Sequence, residues 1–218
     1  MDPQPRRPGM KIGIIGSGNV GGALGARWAA AGHQVLFSSR NPGSEEMRAL
    51  LAKAGGNSRA ATSAETAEGS DVILIATPWA ATRAVVEGLS LAGKVVIDAT
   101  NPLRPSLDGL EVGMDTSGAE QVAQWAPGAL VVKAFNTIGF NIMESPRFGD
   151  RGAALFYCGD DAGAKGVVHQ LASELGFEAH DAGPLRQARL LEPFALLWIS
   201  LALVHGYGRE IGFSLLRR

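Results

Sequence analysis

Lys11-Ile12-Gly13-Ile14-Ile15-Gly16-Ser17-Gly18-Asn19-Val20-Gly21 is an apolar run that breaks into glycines, and it sets the architecture of the whole chain. Lys11 to Ile15 predicts a buried strand, and Gly16, Gly18 and Gly21 satisfy the G-x-G-x-x-G spacing at the opening of a helix. Gly16 permits the tight turn, Gly18 lets backbone approach a pyrophosphate, and Gly21 lets helix and strand pack closely. The free N–H groups and positive dipole end of the helix suit phosphate. Small residues continue at Gly22, Ala23, Gly25 and Ala26, Gly32 ends the helix, and a second strand comes next over Gln34 to Ser38. Strand, glycine turn, helix and strand in that order predict a dinucleotide site, with Gly16, Ser17, Gly18, Asn19, Val20 and Gly21 at the phosphates.

The end of the second strand bears on which dinucleotide is bound. A carboxylate about 20 residues beyond the glycines would hold a ribose 2′-hydroxyl, whereas an arginine there accommodates a 2′-phosphate. This chain has Ser38, Ser39, Arg40 and Asn41, with no carboxylate until Glu45. Two hydroxyls and a guanidinium make a cradle for a dianion, because charge-assisted hydrogen bonds exceed neutral ones. NADP(H) is therefore expected over NAD(H).

Downstream, strand and helix patterns alternate. Strands are expected over Asp71 to Ala76, Lys94 to Asp98, Ala129 to Lys133, Leu155 to Cys158 and Glu178 to His180. Helices are expected over Ala80 to Leu89, Gly118 to Trp125 and Ala162 to Leu175. Repeated βα units imply an α/β fold, a Rossmann-type, doubly wound and mostly parallel sheet with a short C-terminal helical cap. The expected organisation is a flexible tail over 1–9, an NADP-binding domain over 10–180, and a cap and dimer segment over 181–218.

In such sheets ligands gather at the carboxyl ends of the strands. That rule selects Thr77 and Pro78, with Trp79 as a flat wall, then Asn101 and Pro102, then Ala134, Asn136 and Thr137. Capping and turn roles compete for Thr77, Asn136 and Thr137. No catalytic Lys, Tyr or His stands out in these loops. Tyr207 and His205 are the nearest acid candidates for reducing a carbonyl, or else they finish a packed helix. Asp160 is expected to cap the helix that begins at Ala162. Asp181 and Glu192 are expected to pair with Arg186 or Arg189.

With 218 residues, 46% of them hydrophobic, the chain suits one α/β domain with a small extension. A formal charge of -1 gives no reason to expect nucleic acid or an anionic membrane as partner. Cys158 is the only cysteine and the four histidines are scattered, so neither a disulfide nor a metal site is expected. Cys158 reads as a small strand residue with an unreactive thiol. Met1 to Gly9, rich in Pro and Arg without an apolar core, reads as a tail and not as a secretory signal, and a cytoplasmic location is expected. The apolar run Phe194 to Val204 falls short of the ~20 residues a span needs and is expected to form a buried helix or a homodimer interface.

With these residues placed, the chain resembles the F420-dependent NADP oxidoreductases, also called NADPH:F420 reductases, over nearly all of Lys11 to Arg218. Three segments carry the resemblance: the glycine turn with Ser38-Ser39-Arg40; Cys158-Gly159-Asp160-Asp161; and Asp181-Ala182-Gly183-Pro184-Leu185 followed by Ala188-Arg189-Leu190-Leu191-Glu192. The resemblance implies that the C-terminal part caps the cleft and that hydride passes directly between nicotinamide and deazaflavin. Val131 to Ile138 departs from that pattern. It is more like bacterial relatives and the NADPH-binding reductase domain of STEAP-type ferric reductases, which pass electrons to a flavin. Coenzyme F420, a flavin (FAD or FMN), or a small imine or carbonyl compound each remain as the redox partner. A non-enzymatic NADPH-binding sensor module is the other class.

Overall fold

The computed structural model describes residues 9–218, so Met1 to Pro8 of the expected tail lie outside the described residues. Within those described, ten strands and eight α-helices follow one another. The first half comprises β1 (Lys11–Ile15), α1 (Asn19–Ala30), β2 (Gln34–Ser38), α2 (Glu45–Ala54), β3 (Ser58–Ala61), α3 (Ser63–Glu68), β4 (Val72–Ile75), α4 (Trp79–Glu87) and β5 (Val95–Asp98). The second comprises α5 (Gly118–Trp125), β6 (Leu130–Lys133), α6 (Phe140–Glu144), the hairpin β7 (Arg147–Phe148) and β8 (Arg151–Gly152), β9 (Ala154–Gly159), α7 (Ala162–Glu174), β10 (Glu178–Asp181) and α8 (Ala188–Ile199).

The main sheet runs β10-β9-β6-β5-β4-β1-β2-β3. Strands β1 to β6 are parallel, β9 is antiparallel to β6, and β10 is parallel to β9. The order turns outward in both directions from β1 and β4, which makes the switch point where such sheets take ligands. The expected doubly wound, mostly parallel sheet is what forms. Both faces are covered, which is why β4 is an unbroken Val-Ile-Leu-Ile run, buried at all four positions.

One core face packs Trp28, Phe135 and Phe177 edge to face, with ring centroids 5.7 and 6.0 Å apart. The Trp28 indole N–H donates to the Leu171 carbonyl at 3.2 Å, so its one polar atom is not stranded. Arg27 fastens the same helix to its neighbours, donating to the carbonyls of Glu144 at 2.7 Å and Leu175 at 2.8 Å.

Several local expectations shift. Asp161, not Asp160, caps α7, its Oδ1 accepting from the Ala164 N–H at 2.7 Å. Asp160 instead accepts from the Leu185 N–H at 2.9 Å and ties β9 to the cap. Asp181 pairs with Lys165 and Arg189 with Glu120, while Glu192 turns inward to Lys133. His205 and Tyr207 lie past the last helical turn, exposed, and so do not finish a packed helix.

The apolar run of the cap is also longer than expected. A turn at Leu185–Gln187, α8 and a π-helical turn at Ser200–Val204 form one 20-residue helical stretch, Leu185–Val204, in which 18 consecutive residues reach a mean hydropathy of 1.4. By length and composition alone this stretch is long and apolar enough to cross a membrane. Its inner side packs Leu191, Ala195 and Trp198 on the domain, and the Trp198 indole donates to the Ile211 carbonyl at 3.0 Å. Leu190, Leu197 and Val204, spaced by seven residues, remain exposed.

Candidate functional site

Gly16 sits at φ +101°, a conformation that favours glycine, and a Cβ there would lie 2.5 Å from the Ala76 carbonyl oxygen. At Gly21 a Cβ would run into the Gly16 carbonyl oxygen and lie 2.8 Å from Ile14 Cγ2. A Cβ on Gly18 would meet nothing within 4 Å among the described residues. The first and third glycines thus admit helix α1 against β1 and β4, and the second faces open space, as a backbone approach to phosphate requires. Among the described residues no side chain caps α1 and no acid occupies its first turn, so its first N–H groups have no side-chain competitor for an anion. Gly21→Ala is expected to cost about 1–3 kcal/mol through overpacking and to weaken nucleotide binding; thermal unfolding and a binding titration check it.

A cleft of about 590 Å³ opens over this turn. Its walls are Gly16, Gly18, Asn19 and Val20 after β1, Thr77, Pro78 and Trp79 after β4, and Thr100 and Asn101 after β5. The loop leaving β5 overhangs it with Leu103, Arg104, Leu107 and Glu111. A depression of similar volume, about 580 Å³, lies at the other end of the strands around Lys11, Gln34 and Arg59, remote from the glycine turn.

The residues selected by sequence separate into two layers. Gly16, Gly18, Asn19, Val20, Thr77, Pro78, Trp79 and Asn101 line the cleft. Ser17 lines an adjoining depression between α1, α2 and α6. Pro102, Ala134, Asn136 and Thr137 are buried behind the wall. Asn136 acts from there: its Nδ2 donates to Asn101 Oδ1 at 3.1 Å and to the Leu191 carbonyl at 3.0 Å, while Asn101 Nδ2 donates to the Asn136 carbonyl at 2.8 Å. Asn136 Oδ1 is buried with no hydrogen-bond partner among the described residues. The turn before it is strained, Phe135 lying at φ +63° while its ring is held in the aromatic core. The Thr77 hydroxyl meets that of Thr82 at 2.9 Å, and the Trp79 ring leans on Trp125 at 5.4 Å.

At the end of β2, Ser38 departs from the cradle drawn from sequence. It is buried, and its Oγ accepts from the Gly16 N–H at 3.3 Å, so it braces the glycine turn. Ser39 closes a local turn by accepting from the Asn41 N–H at 3.0 Å. Arg40 is exposed and has no ion-pair partner among the described residues, leaving its guanidinium free for an anion.

Sequence reasoning missed a charged cluster beneath the cleft. Lys133 is fully buried, and Nζ donates to Asp98 Oδ2 at 2.9 Å, Glu192 Oε1 at 2.8 Å and the Thr100 carbonyl at 2.7 Å. All three ammonium donors are used. Burial acts to depress this lysine's pKa, but the charges of Asp98 and Glu192 outweigh it and the pKa rises above the ordinary lysine value. Glu192 also accepts from Gly118 N–H at 2.9 Å and Ala119 N–H at 3.1 Å, the start of α5. Cys158 lies nearby, and burial pushes its thiol up to about 12, in keeping with an unreactive strand residue.

Nearer the surface, Arg189 donates to both Glu120 oxygens at 2.7 and 2.8 Å and holds that carboxyl below the usual range. A depressed folded pKa stabilises above the unfolded value and loses that contribution as pH falls through the folded one. Arg189→Leu should therefore unfold at lower temperature than wild type near pH 6, and the gap should begin to narrow as pH falls below about 4.3, the ordinary glutamate value. Melting curves across that range check it.

Among the described residues no group of His, Cys, Asp and Glu could hold a metal ion. The site does fit a dinucleotide, with a glycine cradle whose middle position is open, an uncapped helix start and an unpaired arginine at the end of the neighbouring strand. Comparison with known proteins agrees. Residues 11–102 match the family model described as NADP oxidoreductase, coenzyme F420-dependent. The F420-dependent NADP reductase of Methanothermobacter marburgensis is 30% identical over 207 residues, 88% of this chain and 92% of that protein. The rat metalloreductase STEAP3 is 32% identical over 191 residues, 85% of this chain, and the matched region spans only 36% of that protein. A crystal structure of a protein from Arthrobacter sp. FB24, provisionally named an F420-dependent NADP reductase, superposes with a TM-score of 0.84 at 30% identity and covers 96% of this chain and 100% of that one.

Proposed function

The chain belongs to the family of coenzyme F420-dependent NADP oxidoreductases, and on that premise we propose that it transfers a hydride between NADP(H) and the deazaflavin coenzyme F420. The observation that carries the choice of a ring-shaped partner is the chemistry of the cleft wall. Val20, Pro78, Trp79, Leu103 and Leu107 offer apolar surface beside the charged rim of Arg104 and Glu111, and the buried Lys133 keeps its protons on Asp98, Glu192 and the Thr100 carbonyl. Reducing a carbonyl leaves an alkoxide that needs an acid, whereas transfer between two rings needs positioning and exclusion of water.

When bound, the nicotinamide nucleotide supplies the two-electron equivalent. The chain's own residues bind and orient it. Gly16 to Val20 and the start of α1 receive the pyrophosphate, and Arg40 with Ser39 receives the 2′-phosphate. Thr77 and Asn101 mark the nicotinamide end, and Asn136 braces Asn101 from behind the wall. Trp79 and the overhanging Leu103 and Leu107 keep water from the rings.

A spectrophotometric assay with NADPH tests the proposal. Bleaching of the oxidised deazaflavin, without turnover of simple imines or ketones, is the expected result. The likeness to the metalloreductase favours a second acceptor, a free flavin, FAD or FMN, and reduction of flavin alone would move the assignment there. Tight NADPH binding with no acceptor reduced would make the protein a sensor module. We further propose a cytoplasmic homodimer joined through Leu190, Leu197 and Val204, without nucleic acid or membrane partners. Light scattering at micromolar concentration should give twice the mass of the 22.7 kDa chain, and Leu197→Glu should return a monomer.

A further inference from the structure

Behind the cleft, three charges lie out of water that the proposed transfer does not use. Asp98 ends β5, Lys133 ends β6 directly beside it in register, and Glu192 reaches in from α8. Their side chains are at most 1% exposed. Each also grips a segment that carries part of the cleft wall. Asp98 Oδ1 accepts from the Thr100 N–H at 2.9 Å and hydroxyl at 2.7 Å, which fixes the turn into Asn101. Glu192 holds Gly118, where a Cβ would lie only 3.1 Å from the Trp79 ring. The residue before Glu192, Leu191, takes the Asn136 side-chain N–H on its carbonyl.

A buried ion cluster is a poor way to gain stability. Apolar or neutral replacements of similar volume are often as stable or more so, because desolvation opposes the attraction. Such a cluster does impose direction, since every donor has one acceptor and a displaced partner leaves a charge unsatisfied. Here those directions converge on Asn101, Trp79 and Asn136. Lys133 itself touches no ligand space, and its spent donors exclude it as an acid or an amine nucleophile.

We propose that Asp98, Lys133 and Glu192 are positioning residues that act through Asn101, Trp79 and Asn136 to set the nicotinamide end of the cleft against α8. The proposal rests on the placement of the nicotinamide beside Thr77 and Asn101, with Asn136 behind them. Misplacement by about 1 Å can cost a reaction of this kind roughly 100-fold, so the cluster acts on rate more than on affinity.

The test is the neutral triple variant Asp98→Asn, Lys133→Met, Glu192→Gln, with Glu192→Gln alone beside it. Adenosine and pyrophosphate contacts are untouched, so NADPH affinity should stay within about threefold of wild type, a minor free-energy change. Single-turnover reduction of the acceptor at saturating NADPH should fall roughly 10- to 100-fold. The fluorescence lifetime of bound NADPH should shorten toward that of the free nucleotide, reporting a loosened nicotinamide whatever the acceptor is. That second signal separates the two claims: if wild type reduces no acceptor, the functional assignment fails while the lifetime comparison still judges the cluster. A folded triple variant with wild-type rate and lifetime overturns the proposal. So does a loss of affinity that matches the loss of rate, and so does failure of both variants to fold, which would make the cluster a stability element.

Discussion

Replacing Lys133 with methionine alone is expected to lower stability by about 3–5 kcal/mol, the cost of leaving buried charges without their partner. In a chain of this size each kcal/mol corresponds to about 2–4 °C, so the thermal midpoint should drop by roughly 6–20 °C. The size of the effect follows from which atoms are stranded. Asp98 and Glu192 are at most 1% exposed, so water cannot take the place of the ammonium, and the Thr100 carbonyl loses its donor as well. The wild-type contribution has a defined pH range. A lysine whose folded pKa is raised stabilises fully below its unfolded value, near 10.4, and loses that contribution as pH rises through the folded pKa. Wild type should therefore weaken in strong alkali by a step that Lys133→Met lacks. Urea unfolding at pH 7 and above pH 10 measures both, and equal stability of the two proteins at pH 7 would refute the assignment of a paired, charged cluster.

That cluster also shows where sequence reading stops. Lys133 stands in the run Leu-Val-Val-Lys, where it reads as the polar end of a strand, and Asp98 ends Val-Val-Ile-Asp in the same way. Both strands were legible from their apolar runs, so two charges at neighbouring strand ends were a usable signal once strand order was known. Glu192 was not legible, because only packing of α8 onto α5 and β6 brings it there, and its sequence neighbours Arg186 and Arg189 made surface pairing the simpler expectation. The glycine turn was legible in full, since Gly16 and Gly21 answer to local sterics that the residue type alone specifies. Elements α2, β3 and α3 went unread for a different reason. β3 is Ser-Arg-Ala-Ala, an edge strand with one buried residue and no apolar run to detect. The signal for α3 was present: Thr62 and Glu65 form a reciprocal capping box, with the Thr62 N–H donating to Glu65 Oε2 at 2.8 Å. Ser38 was read as part of a phosphate cradle, and packing gives its hydroxyl the Gly16 N–H as a partner, which residue type alone does not specify.

With Ser38 engaged on the glycine turn, the proposed placement of the 2′-phosphate leaves discrimination to Arg40, and Arg40→Glu is expected to raise the NADPH dissociation constant by roughly 100-fold or more. Two charge-assisted hydrogen bonds to a dianion contribute about 1.5–3 kcal/mol each, and every 1.4 kcal/mol is a factor of ten. The substitution removes the bonds and adds like-charge repulsion, so the loss exceeds what deletion alone would give. NADH should respond in the opposite sense. A carboxylate at this strand end can accept from the 2′-hydroxyl, so its affinity should hold or improve. The exposed position predicts one further signature: the wild-type preference should shrink with added salt, because exposed charges are screened over about 8–10 Å at physiological ionic strength. No acid within the first helical turn of α1 competes for the guanidinium, and Glu45 and Glu46 lie at the start of α2, beyond the Ser44 cap. Titration calorimetry with both dinucleotides decides the matter. A variant that still prefers NADPH by the wild-type ratio would move the 2′-phosphate away from Arg40 and leave the pyrophosphate cradle as the only part of the nucleotide site that these residues define.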